Sequence, residues 1–195
     1  MITSRKTNTP AAKTYENLIE RADFSLERTD RAYESTEFRA CIFNDISGIA
    51  FTDCLFSSCN LSNAQVSKAK AQDLTFRDCK LIGINFYQMV DFGFSLHFEN
   101  CLLDYASFDK KKMNKSSFKN CKLHGVNFSK ADLSKVTMAD CDLADAIFDG
   151  TNLSGIDFTT NRNFSIDPQL NLVKKTRFSA ATLSGLLTKF DIIIE

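Results

Sequence analysis

The chain has no surplus of charge of either sign: Lys and Arg together number 24, and Asp and Glu together number 24. That balance excludes a generally basic nucleic-acid binder and a strongly acidic mimic of nucleic acid, so any charge signal has to be local. Nor is there a run of roughly 18 apolar residues of the kind that spans a membrane. The opening MITSRKTNTP is polar, with no apolar stretch behind it to act as a secretory signal. A soluble, cytoplasmic protein with no membrane partner is the expectation. Histidine is scarce, with only His97 and His124 present. No G-x-S-x-G, Gly-rich phosphate loop, H-E-x-x-H or Cys-His arrangement with an orienting carboxylate can be assembled. We expect no enzyme and no cofactor. The length, 195 residues, nevertheless suffices to bury a core without a disulfide or metal staple.

What the chain does have is a period. All seven cysteines, Cys41, Cys54, Cys59, Cys79, Cys101, Cys121 and Cys141, stand two residues before a large apolar residue, respectively Phe43, Phe56, Leu61, Leu81, Leu103, Leu123 and Leu143. From Phe98 a Phe, Leu or Met recurs at every fifth position through Met113, Leu133, Met138 and Leu153 to Phe158. A helix places apolar residues three and four apart and a flat strand two apart, so a sustained spacing of five is neither. It is a repeat. Cysteines that fill one small inward slot per repeat are reduced, buried and inert. The C-x4-C at Cys54 and Cys59 lacks a second pair or a histidine at zinc spacing, and no metal is expected.

Units such as C-K-L-H-G (121–125), V-N-F-S-K (126–130), A-D-L-S-K (131–135) and C-D-L-A-D (141–145) read small, any, large apolar, any, any. Here the sequence resembles the pentapeptide-repeat family, over residues 36–158. The resemblance implies an all-β fold, a right-handed quadrilateral β-helix in which four units make one square coil of twenty residues, about six coils in all. Residues twenty apart should then stack. One column carries Cys59, Cys79, Cys101, Cys121 and Cys141 with Leu61, Leu81, Leu103, Leu123 and Leu143. The next carries Val66, Phe86, Phe108, Phe128 and Phe148, and another Phe56, Phe76, Phe98, Phe118, Met138 and Phe158.

Two register faults interrupt the count. Phe43 to Phe51 is two residues short of ten, and Phe86 to Phe98 is two long, with Phe92, Gly93 and Phe94 marking a bulge that tucks or displays an aromatic. Ala71 is an undersized centre where the core should be thinnest. Residues 1–13 read as a disordered tail, 14–35 as an N-terminal cap, 36–158 as the solenoid, and 159–195 as a C-terminal cap. In the last, Ser179 can cap a short α-helix reaching about Lys189. Leu183, Leu186, Leu187 and Phe190 form its apolar stripe, and Asp191–Glu195 reads as a short strand.

Charge is uneven along the axis. Residues 109–135 carry Lys110, Lys111, Lys112, Lys115, Lys119, Lys122, Lys130 and Lys135, while 136–158 carry Asp140, Asp142, Asp145, Asp149 and Asp157 with no Lys or Arg. Asp140, Asp142, Asp145, Asp149, Lys110, Lys111, Lys112 and Lys115 are therefore the candidate partner-docking residues, all expected to face outward. The C-terminal tail resembles the Qnr-type and microcin-immunity members of the family. That implies a homodimer joined through Leu183, Leu186, Leu187, Phe190, Ile192, Ile193 and Ile194, and a bacterial type II topoisomerase as partner without direct nucleic-acid contact. Fold likeness does not supply function, and a scaffold of unassigned target stands beside this reading. A rod of six coils, roughly 29 Å, would need about 17 negative charges to imitate B-DNA. Residues 36–158 hold 15 acidic against 13 basic residues, so full electrostatic mimicry is not expected.

Overall fold

The structure, a computed structural model, describes residues 13–25, 30–113, 115–190 and 192–193. Of the expected tail at 1–13 only Lys13 is described, its ammonium paired with Asp53; the dimer residue Ile194 lies outside the described residues. The chain winds as a four-faced solenoid whose first face is a seven-stranded parallel sheet. Its strands run from Asn17–Glu20 through Thr36–Arg39, Leu55–Ser57, Leu74–Arg77, Leu96–Glu99 and Ser117–Lys119 to Thr137–Ala139. The inward column of this face is Ile19, Phe38, Phe56, Phe76, Phe98, Phe118 and Met138, in register from coil to coil. Phe158 and Phe178 extend it, their rings 5.6 Å apart. The second and third faces are joined by single parallel bridges such as Lys80 to Leu102 and Ser107 to Asn127. On the fourth, Ala32–Glu34, Ala50–Thr52 and Lys70–Gln72 pair in parallel before bridges such as Lys112 to Asp132 take over.

Why five residues make one side follows from the backbone. Each unit spends three residues on an extended side and then turns at a residue with positive φ, as at Asn100, Tyr105, Lys110, Lys115 and Asn120 (φ 51–62°). The left-handed region costs an L-residue roughly 1–2 kcal/mol, least for Asn and Asp, which are frequent at these corners. Offsetting it, every turn delivers a central side chain to the interior. Leu61, Leu81, Leu103, Leu123 and Leu143 are buried on the second face, and Val66, Phe86, Phe108, Phe128 and Phe148 on the third.

The phenylalanines stack within a column and meet edge-on between columns. Phe86 and Phe108 lie 4.6 Å apart at 4°, and Phe108 meets Phe118 of the adjoining column at 5.7 Å and 87°. Burying such a ring contributes roughly 1.5–3 kcal/mol, and each good aromatic pair about 0.5–1.5 kcal/mol beyond that. The residues two before each centre fill the corners of the core. All seven cysteines are free and buried there. Their thiols are not merely apolar: Cys59 Sγ lies 3.3 Å from the Phe38 carbonyl, and Cys79 Sγ 3.3 Å from that of Phe56. The cysteine column ends at Asn161, whose amide accepts from Cys141 N–H at 2.9 Å and donates to Met138 O at 3.0 Å.

Both ends carry the winding further than the five-residue pattern shows. Residues 14–25 and 30–35 of the expected cap wind on the first coil, where Phe24 stacks on Phe43 at 4.5 Å and Tyr33 on Phe51 at 5.5 Å. At the other end Asp142 bridges to Arg162, Asn152 to Leu172 and Asp157 to Arg177. The helix at the C-terminus is a 3-10 helix, Ala180–Leu186, followed by a 3-10 turn at Thr188–Phe190. Two expectations for this end need correction. Ser179 makes no side-chain cap hydrogen bond; its backbone carbonyl accepts from Thr182 N–H instead, at 3.1 Å. Ile192 and Ile193 belong to no strand.

The register faults are local. In the short coil the step from Phe43 to Ile46 is three where that from Leu61 to Val66 is five, two corner positions being absent; Ile46 N–H still reaches Gln65 O at 2.8 Å. In the long coil Asp91–Phe94 is looped out between Val90, bonded to Ala69 O, and Ser95, bonded to Ala71 O. The loop both tucks and displays: Phe94 turns into the core beside the small Ala71 column, while Phe92 is 89% exposed.

Candidate docking faces

The fourth face is where charge, aromatic exposure and a concavity coincide. Lys110 and Lys130 mark its corner with the third face, both at positive φ, and Lys115 and Lys135 mark its corner with the first. Lys112 lies between them, one residue before the inward Met113, bridged to Asp132. The looped segment rises from the same face. Beside it is a groove of about 750 Å³ lined by Gln72, Asp73, Phe92, His97, Lys112 and Lys115.

Lys111 corrects the expectation that this lysine run is all solvent-facing. It is 2% exposed. The repeat gives the reason, since Lys111 stands two residues before Met113 and so occupies the inward slot that Ala131 and Thr151 fill in later coils. Its ammonium donates to Met89 O at 2.5 Å and to Asp91 Oδ1 at 2.6 Å, and lies 4.7 Å from the centre of the Phe94 ring. A buried ammonium is tolerable only when paired and hydrogen-bonded, and here the loop supplies the partners. Sequence reasoning missed this, although its own slot rule applied to Lys111 would have placed it inward.

The acidic candidates are elsewhere. Asp140 and Asp145 stand at the two corners of the second face, exposed and at positive φ, and Asp142 lies on that face between them; Asp149 is on the third. Asp140, Asp142 and Asp145 are thus on the side of the solenoid opposite the lysine-bordered face, with Asp149 on the face between. Asp142 is moreover occupied, accepting from Asn163 Nδ2 at 2.8 Å and Arg162 Nε at 3.2 Å, with His124 Nε2 at 3.3 Å. Burial opposes its ionisation, but these donors outweigh it and hold the carboxyl below its usual range. The acidic patch is therefore weaker than its residue count.

A third surface is apolar. Leu183, Leu187, Phe190, Ile192 and Ile193 are exposed at the C-terminal end, with Leu170 and Leu172 beside them, whereas Leu186 packs on the core. Gly185 sits against Phe164, where a Cβ would come within 2.7 Å of the ring. Glycine there lets the 3-10 helix close over the last coil.

The thiols and imidazoles serve the winding. Among the described residues no three His, Cys, Asp or Glu side chains are grouped to hold a metal. Burial pushes the Cys41 and Cys54 thiols up, away from thiolate. His97 contacts Ser117 Oγ through Nδ1 at 2.9 Å and Asp73 through Nε2 at 3.3 Å. This polar ladder lies along the sheet surface, half-buried at His97 and Ser117. No helix among the described residues is long and apolar enough to cross a membrane.

Family models agree with this architecture. A model described as pentapeptide repeat region matches residues 94–167, and one described as pentapeptide repeats (8 copies) matches 50–88. No curated protein matches the chain in sequence. Among solved structures, a trypsin-treated point variant of QnrB1, a plasmid-mediated fluoroquinolone resistance protein, is similar with a TM-score of 0.65 at 19% identity, over 92% of this chain and 99% of that one. A second trypsin-treated point variant of QnrB1 gives 0.63 at 20% identity over the same shares. Full-length QnrB1 gives 0.50 at 16%, over 90% of this chain and all of that one.

Proposed function

Since the chain belongs to the pentapeptide-repeat family, we propose that it is a non-catalytic binding rod that docks on DNA gyrase or topoisomerase IV and protects the enzyme from a toxin or a quinolone. One observation carries this reading: the likeness to QnrB1 covers 92% of this chain and 99% of that one. We place a homodimer seam at the C-terminal end. Leu183, Leu187, Phe190, Ile192 and Ile193 offer there the exposed apolar side chains that a two-fold contact would bury.

Supercoiling by purified gyrase, with and without a quinolone, as this protein is titrated in, tests the proposal. Protection or inhibition at near-stoichiometric protein is expected, and no effect at many-fold excess would overturn it. If docking used the acidic coil, Asp140→Asn with Asp145→Asn would weaken the effect. Asp142→Asn is uninformative about docking, because its carboxylate is held by Asn163 and Arg162.

A second reading, a scaffold for another protein, is favoured by one specific observation. The lysine-bordered fourth face presents the most exposed aromatic among the described residues, Phe92, whereas the acidic coil presents no exposed aromatic.

A further inference from the structure

The loop Asp91–Phe94 is an insertion that the winding does not require, since the other coils close without it. Keeping it involves burying a lysine in a slot where Ala131 and Thr151 serve elsewhere. The arrangement yields one thing, a displayed phenylalanine on a fixed base. Phe94 is tucked and Lys111 ties Met89 and Asp91, so the segment is tethered on both sides of Phe92. Gly93, at φ +74°, makes the reversal that separates the two rings.

We propose that Phe92 is the anchor of a protein-docking site on the fourth face, and that its partner is an acidic peptide segment with an apolar side chain that packs against the ring. The inference rests on the chain being a binding rod and not on the topoisomerase reading. An exposed, pre-ordered aromatic surrounded by polar residues has the anatomy of an interface hot spot, in which little ordering entropy remains to be lost on binding. Lys112 and Lys115 form the groove wall beside it, and Lys110, Lys130 and Lys135 extend the positive border along both corners. Acidic side chains flanking the apolar one are their complement, steering encounter and fixing register.

Two other anionic occupants fit less well. Single-stranded nucleic acid is gripped by a row of stacking aromatics over a basic floor. Here one ring stands alone, because the other phenylalanine of the groove, Phe94, is buried and leaves no second platform for a base. An anionic membrane finds a single apolar side chain to insert.

The test is selection of a random twelve-residue peptide library on the immobilised full chain, with counter-selection on Phe92→Ala. Recovered peptides should combine two or more Asp or Glu with a Leu, Ile or Phe. Binding should weaken about tenfold with Phe92→Ala and with Lys112→Glu plus Lys115→Glu, and should fall as salt rises. Lys111→Met, which keeps the core filled but frees the loop, should weaken binding with circular dichroism unchanged. Peptides without an acidic bias, or none that distinguish the protein from Phe92→Ala, would overturn the proposal. Phe92-dependent binding of oligo-dT or of phosphatidylserine vesicles, used as parallel probes, would overturn it as well. Gyrase supercoiling run on Phe92→Ala separates the two readings, because peptide binding can be lost while gyrase modulation persists, and the reverse.

Discussion

The Lys111 ammonium lies 2.5 Å from the carbonyl oxygen of Met89, twenty-two residues earlier in the chain, across the one coil that carries an insertion. A lysine in an alanine slot and a two-residue register fault, separate oddities in the sequence, are two halves of one tether.

Lys111→Met should therefore leave the global unfolding free energy within about 1.5 kcal/mol of the parent, because the aliphatic volume is retained and Asp91 can be solvated. Amide exchange at Gly93, Phe94 and Ser95 should accelerate all the same. Unchanged exchange there would show that the tether does not hold the loop.

Phe128 is fully buried and stacked on Phe108 and Phe148, both at 5.4 Å. Phe128→Ala should cost roughly 3–5 kcal/mol as a cavity that neighbouring coils cannot collapse to fill. Lys112→Ala, on an exposed position, should change stability by less than about 0.5 kcal/mol. Urea denaturation of both variants checks the inward and outward assignment, and equal losses would refute it.

The seven thiols are buried, and the Cys141 thiol is pushed up by its contact with Cys121 and then by burial. Native protein exposed to a maleimide at pH 7 should label on none or one of them within minutes, and on all seven after denaturation. Rapid native labelling of several thiols would mean that the columns breathe open. Cys121→Ser should be milder than a dry apolar slot would allow, since Lys119 O lies 3.4 Å from the thiol and can accept from a hydroxyl.

Stability should decline in acid. Hydrogen bonds and charge from Lys119 and Arg77 hold the Glu99 carboxyl below its ordinary range, and Lys189 does the same for Asp167. A group whose folded value is depressed contributes stability above its unfolded pKa, about 4, and loses it as pH falls through the folded value. Unfolding free energies at pH 7, 5, 4 and 3 should fall mainly below pH 5, with a shallower slope in Glu99→Gln. An identical slope in that variant would remove Glu99 from the account.

Deletion of 191–195 should leave a folded monomer if the tail is a dimer seam, read by light scattering with circular dichroism as the folding control. A folded dimer after deletion would move the seam elsewhere, and an aggregate would assign the tail to covering the last coil.

Much of the fold was legible because a solenoid repeats one local rule: small residue, then two positions on a buried centre, then a corner. Columns such as Phe76, Phe98 and Phe118 followed directly. The N-terminal coil was not legible, because its inward residues Ile19, Phe24 and Tyr33 are spaced five and nine apart; only their pairing with Phe38, Phe43 and Phe51 shows that they wind with the rest. The candidate site was less legible still. Lys110, Lys111, Lys112 and Lys115 read as one basic run, yet consecutive residues of a square coil face different directions, and one of the four points into the core.

By itself the sequence determined the period, the columns and the two faults, since each is a matter of spacing along one chain and the burial it demands. Only the tertiary structure decided which charges share a face, which carboxylates are already paired, and that Lys111 holds the loop presenting Phe92. Those depend on contacts between coils some twenty residues apart, and no local pattern encodes the direction of a side chain relative to a coil it has yet to meet.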